Sequence, residues 1–78
     1  MSNYQFITYW DTVKKTSKTM LLNLDQIVYI EEVDYDIGKY GTYYFIGYNY
    51  NSNYTGCYVT KNEAYRIMKI MGISSPEI

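Results

Sequence analysis

The stretch Tyr54-Thr55-Gly56-Cys57-Tyr58-Val59-Thr60-Lys61-Asn62-Glu63-Ala64-Tyr65-Arg66-Ile67-Met68-Lys69-Ile70-Met71 changes its period halfway along, and that change decides the fold. From Tyr54 to Val59 the residues are aromatic, β-branched or small with no strong breaker, which is the composition of a strand. Thr60-Lys61-Asn62-Glu63 then fits a capping box, with threonine at the cap and glutamate at the third helical position. Ala64, Ile67, Met68 and Met71 follow at the 3-4-3 spacing of one helix face. Gly72 supplies a left-handed stop, and Pro76 forbids resumption. A helix of about eleven residues is too short to persist alone in water, so it must pack on something.

That something is a sheet. Tyr4 to Trp10 reads as a first strand, Met20 to Leu22 as a short one, and Ile27 to Asp34 as the strongest in the chain. Thr42 to Tyr48 and Tyr54 to Val59 complete the set. Between them lie a lysine-bearing loop (Asp11 to Thr19), a turn (Asn23 to Gln26), a glycine-containing turn (Asp36 to Gly41) and a Tyr/Asn loop (Asn49 to Asn53). The expected architecture is α+β: one antiparallel sheet of about five strands in meander order, with one C-terminal helix packed on it. Gly47 and Gly56 fall inside strands, where a bulge or a close backbone approach is the usual reason. Residues 1–78 read as a single domain, with 73–78 as a loose tail.

Alternation puts Phe6, Thr8 and Trp10 opposite Ile7, and sets Val28 and Ile30 against Ile27, Tyr29 and Val33. Both faces are therefore apolar, and one helix covers one of them. A homo-oligomer built by sheet packing, with tyrosine at the seam, follows as an expectation.

Composition narrows the chemistry. The chain has 78 residues, net charge −1, no histidine, one cysteine and twelve tyrosines. One cysteine makes no internal disulfide, which fits a reducing, cytoplasmic setting in a bacterium or an infected bacterial host. The opening Met-Ser-Asn-Tyr carries no secretory pattern, and no apolar run nears the roughly 18 residues of a membrane helix. Near-neutral charge argues against a duplex nucleic acid partner. Without histidine there is no ordinary base for a Ser or Cys nucleophile and no zinc set around Cys57. Asp34-x-Asp36-x-Gly38 opens like a calcium loop but lacks its later ligands. No enzyme, metal or cofactor is expected.

A binding surface is what these exclusions leave. Tyr48, Tyr50 and Tyr54 bracket Asn49, Asn51 and Asn53, rings for stacking beside amides that read hydrogen-bonding edges. The candidate contacts are Tyr48, Tyr50, Asn51, Asn53 and Tyr54, together with Trp10. Lys14, Lys15, Lys18 and Arg66 are candidates for phosphate or carboxylate contacts.

The run Leu22-Asn23-Leu24-Asp25-Gln26-Ile27-Val28-Tyr29-Ile30-Glu31 resembles the small FlbD-like proteins, with an asparagine and turn leading into an isoleucine-rich strand that ends in glutamate. Tyr58-Val59-Thr60 and the helix to Met71 extend the likeness over about Thr19 to Met71. The resemblance implies a structural or regulatory adaptor acting by protein contacts, with no catalytic residues. The N-terminal aromatic strand and the longer Tyr/Asn hairpin depart from that family. Such chains also look like small phage-encoded proteins. Two functions therefore stand as expectations: a phage-encoded, anti-defence binding protein that sequesters a nucleotide-like ligand or blocks a host protein, and an adaptor of the FlbD-like kind.

Overall fold

The computed structural model describes residues 3–33 and 43–73. The expected turn Asp36 to Gly41, the Asp34/Asp36 pair, Thr42, Pro76 and all of the tail beyond Ile73 lie outside the described residues. Five strands, β1 (Tyr4–Asp11), β2 (Thr16–Asn23), β3 (Ile27–Val33), β4 (Tyr43–Tyr50) and β5 (Asn53–Thr60), form one antiparallel sheet, followed by helix α1 (Lys61–Met71). The α+β class expected from the sequence is the one observed. No helix among the described residues is long and apolar enough to cross a membrane.

Strand order is β2-β1-β5-β4-β3. Consecutive order holds within β1–β2 and within β3–β4–β5, and the expected meander breaks at the β2–β3 connection. That connection is the 3-10 turn Leu24–Gln26, yet it joins the two edges of the sheet. Laid flat, the observed registers would set Asn23 and Ile27 four strand spacings apart, about 19 Å, and offset along the strands by about nine residues, or about 30 Å. The four-residue step between them reaches at most about 14 Å. The sheet therefore coils until its two edge strands approach without pairing, giving a partly open barrel.

Ile7, Leu22, Leu24, Tyr44, Ile46, Cys57 and Val59 line the inside of the coil, and Ala64, Ile67 and Met68 of α1 pack into it. The helix starts and stops where the sequence says. Thr60 Oγ1 accepts from the Glu63 N–H (3.2 Å), and Gly72 is left-handed at φ 81°. The capping box is only half made, because the Glu63 carboxylate goes elsewhere. Its Oε2 accepts from the Thr8 N–H (2.8 Å), while Arg66 Nη2 donates to the Phe6 carbonyl (2.8 Å). The β1–β5 ladder is recorded only at Trp10↔Tyr58, so α1 satisfies edge groups of β1 that have no strand beside them.

Three local expectations change. β2 is eight residues rather than three, because its exposed residues are Ser, Thr and Lys and show no apolar alternation. The lysine loop shrinks to the turn Thr12–Lys15, held by Asp11 Oδ1 accepting from the Val13 and Lys14 N–H groups. The register of β3 shifts between Ile27 and Tyr29, so Val28 is extra and Ile27 packs inward with Ile30 while Tyr29 faces out.

Candidate ligand cleft and the two faces of the hairpin

The Tyr/Asn segment is a two-residue hairpin. Asn51 and Ser52 have φ of 51° and 65°, a type I′ turn, and pairing runs to Tyr50↔Asn53. This register places Tyr48 opposite Thr55 and Asn49 opposite Tyr54, so Tyr48 and Tyr54 emerge on opposite faces. The candidate residues thus divide.

On the inner side, Tyr48 is half-buried and donates to Met20 Sδ (3.6 Å), and burial raises its phenol pKa. It packs against the core and is not among the residues lining the cleft at the β4–β5 tip. Tyr50, 64 % exposed, and Asn51 line a cleft of about 250 Å³ with Tyr4, Leu21, Leu22, Asn23, Gln26 and Asn49. This cleft lies where the coiled sheet fails to close. β3 pairs with β4 only up to Ile27↔Tyr48, leaving the tip of β4 facing the end of edge strand β2 across a gap. Asn23 Oδ1 is occupied by the Asp25 N–H (3.0 Å). Among the described residues the amides of Gln26, Asn49 and Asn51 have no protein hydrogen-bond partner. Asn53 is exposed on β5 and outside the lining.

On the outer side, Tyr54 stacks on Tyr29 (centroids 6.3 Å), Tyr29 meets Phe45 (6.0 Å), and Phe45 meets Tyr58 edge-on (5.2 Å). Trp10 pairs with Tyr58 and extends the row. The rings lie over the Gly47↔Gly56 pair, the close approach that the sequence allowed for. A side-chain hydrogen bond between Tyr29 and Tyr54 that favours the protonated Tyr29 phenol, with some desolvation, pushes that phenol up to about 12. A second hollow of about 270 Å³, lined by Tyr9, Trp10, Asp11, Thr12, Gly56, Cys57 and Tyr58, opens beside the β1–β5 seam.

The basic candidates sit elsewhere and are partly committed. Lys18 Nζ is 3.2 Å from Asp11 Oδ2, and hydrogen bonds from the Lys14 N–H and from Lys18 lower the Asp11 carboxyl pKa. Lys14 and Lys15 occupy the turn at the far end of β1, about 23 Å along the strand from Tyr4, and neither lines the cleft. Arg66 is forked onto Glu63 (2.9 Å for each bond) as well as onto the Phe6 carbonyl. The structure brings none of these cations to the cleft.

Tyr4, Asn23 and Gln26 belong to the cleft and escaped the sequence reading. Nothing local marks them, since closure of the sheet is what carries them to Tyr50 and Asn51. Burial pushes the Cys57 thiol up to about 12, so it is no thiolate nucleophile at neutral pH. Among the described residues no three His, Cys, Asp or Glu side chains cluster to hold a metal. In comparisons with known proteins, no family model, no curated protein and no solved structure matches the chain.

Proposed function

We propose that this chain is a non-enzymatic binding protein that captures the planar, uncharged end of a nucleotide-like ligand in the cleft at the β4–β5 tip. The observation that carries the reading is the convergence of Tyr4, Tyr50, Gln26, Asn49 and Asn51, from three separate stretches of chain, around one opening with no charged side chain in its lining. Each amide offers both a donor and an acceptor, which suits the hydrogen-bonding edge of a nucleobase. Tyrosine rings supply stacking area. At about 250 Å³ the cleft is below the usual range of about 300–1,000 Å³ for ligand pockets, so it takes one ring system, with any sugar or phosphate projecting into water. Capture without turnover is what an anti-defence protein of phage origin would need to remove a host signal.

A thermal-shift panel of the four common nucleosides and their monophosphates tests this. The expected result is stabilisation by one base, similar for nucleoside and monophosphate, with affinity weakened by Tyr50→Ala about five- to 150-fold, the equivalent of about 1–3 kcal/mol for a lost stack. Stabilisation that requires the phosphate, or none with any base, overturns it. The FlbD-like adaptor remains a second reading, favoured by the exposed Phe6 and Tyr54 on the outer face. Loss of partner binding in an outer-face variant that still binds the nucleoside would support it.

A further inference from the structure

We infer that the Glu63–Arg66 pair of α1 is an edge guard that stands in for a neighbouring strand. It closes the unpaired half of β1 and keeps that edge from adding a strand of another molecule. The guard is needed because β5 runs out too early. The one recorded β1–β5 pair, Trp10↔Tyr58, sets a register in which Thr8 would face Thr60 and Phe6 would face Asn62. Thr60 is the helix cap and Asn62 already lies in α1, so among the described residues no strand continues beside Phe6, Ile7 and Thr8. On its other side β1 is paired in full with β2, from Tyr4↔Asn23 to Asp11↔Thr16.

Atom by atom, the imitation is close. In a parallel ladder one residue of the neighbour bonds on either side of the residue it faces. Its N–H donates to the preceding carbonyl, and its carbonyl accepts from the following N–H. Beside Ile7, Arg66 Nη2 donates to the Phe6 carbonyl (2.8 Å) and Glu63 Oε2 accepts from the Thr8 N–H (2.8 Å). The two side chains sit one helical turn apart and are locked together. Arg66 Nε donates to Glu63 Oε1 and Nη2 donates to Glu63 Oε2, both at 2.9 Å. The fork thus offers one donor and one acceptor at fixed spacing with no net charge, as a peptide group does.

The composition of β1 says what is guarded against. Tyr4-Gln5-Phe6-Ile7-Thr8-Tyr9-Trp10 is seven residues of high β-propensity with no charge, proline or glycine, the signature of a segment that pairs with copies of itself. Phe6 and its cross-strand neighbour Leu21 are both exposed at that place. The two outermost strands carry other protection, since β3 has a bulge and two glutamates and β2 has Lys18. β1 is charged only at Asp11, beyond its open half, and relies on the helix.

Two measurements test the guard. Glu63→Ala with Arg66→Ala removes the fork and keeps helix propensity. In sedimentation equilibrium from about 1 to about 100 µM, well below its Tm, this double variant should exceed the average mass of the parent at the upper concentration. Phe6→Lys, added to it at an exposed site, should return the mass to that of the parent without restoring Tm, because an edge lysine opposes strand pairing and repairs no lost contact. Hydrogen exchange is then compared between Phe6→Lys alone and Phe6→Lys with both alanines. Loss of the fork should quicken exchange of the Thr8 amide at least about tenfold. A double variant with the mass of the parent at the upper concentration, association that Phe6→Lys does not reverse, or unchanged Thr8 exchange would each overturn it.

Discussion

Gly56→Ala is the smallest change that tests how the outer face is built. In an ordinary strand, replacing glycine by alanine gains about 0.5–1 kcal/mol by restricting the unfolded chain. Here the added Cβ would overlap the Phe45 ring at Cζ and Cε2 and lie 2.9 Å from the Ile46 carbonyl oxygen. The ring must swing away from Tyr58 and Tyr29, and the backbone oxygen cannot yield as easily as a side chain. Overpacking of this kind costs about 1–3 kcal/mol, which exceeds the backbone gain. A net loss of about 1–2 kcal/mol lowers Tm by about 4–16 °C for a domain of this length. The assay is thermal unfolding followed by circular dichroism, run as a double-mutant cycle with Phe45→Ala. Removing the ring should relieve most of the penalty and leave a coupling of about 1 kcal/mol or more. An unchanged or raised Tm for Gly56→Ala, or strict additivity in the cycle, would refute the packing of Phe45 on Gly56.

Three further outcomes follow from particular contacts. The hydrogen bonds from Arg66 and the Thr8 N–H hold the Glu63 carboxyl below its ordinary value of 4.5, so its contribution to stability is present above that pH and is lost as pH falls through the lowered folded value. Glu63→Gln should flatten this part of the acid-unfolding profile, and an unaltered profile would remove Glu63 from the seam between α1 and β1. Met68→Asp places an unpaired carboxylate at a site 7 % exposed and should abolish cooperative unfolding; a native Tm would take the helix out of the core. Ser52→Gly relieves a serine held at φ 65° and should raise Tm by a few degrees, with a fall in Tm contradicting the type I′ turn.

The helix was legible because its signals are local: Thr60, the 3-4-3 apolar spacing and Gly72 need no tertiary context. The strands other than β2 were legible for the same reason. β2 was hidden because an exposed edge strand of Thr, Ser and Lys reads as a loop until Phe6, Thr8 and Trp10 are seen paired with it. The bulge at Val28 was hidden because Ile27-Val28-Tyr29-Ile30 is apolar at every position and shows no break in alternation. One wall of the cleft, with Tyr50 and Asn51, was visible as a local concentration of tyrosine and asparagine. Tyr4 and Gln26 join it only through the stagger that coils the sheet, and stagger has no signature within one segment. The split of Tyr48 from Tyr54 needed only the turn position, since a two-residue loop at Asn51-Ser52 forces the two rings to opposite faces.

The most direct test of ligand capture is an NMR titration of the labelled protein with adenosine, guanosine, cytidine and uridine, each at about millimolar concentration, the range suited to one stacked ring with a few hydrogen bonds. The account predicts saturable shifts for one base in the side-chain amides of Gln26, Asn49 and Asn51 and in the backbone of Tyr4 and Tyr50, with the Lys14–Lys18 segment unmoved. Shifts centred on that lysine segment, or no saturable shift at the cleft with any of the four, would contradict it.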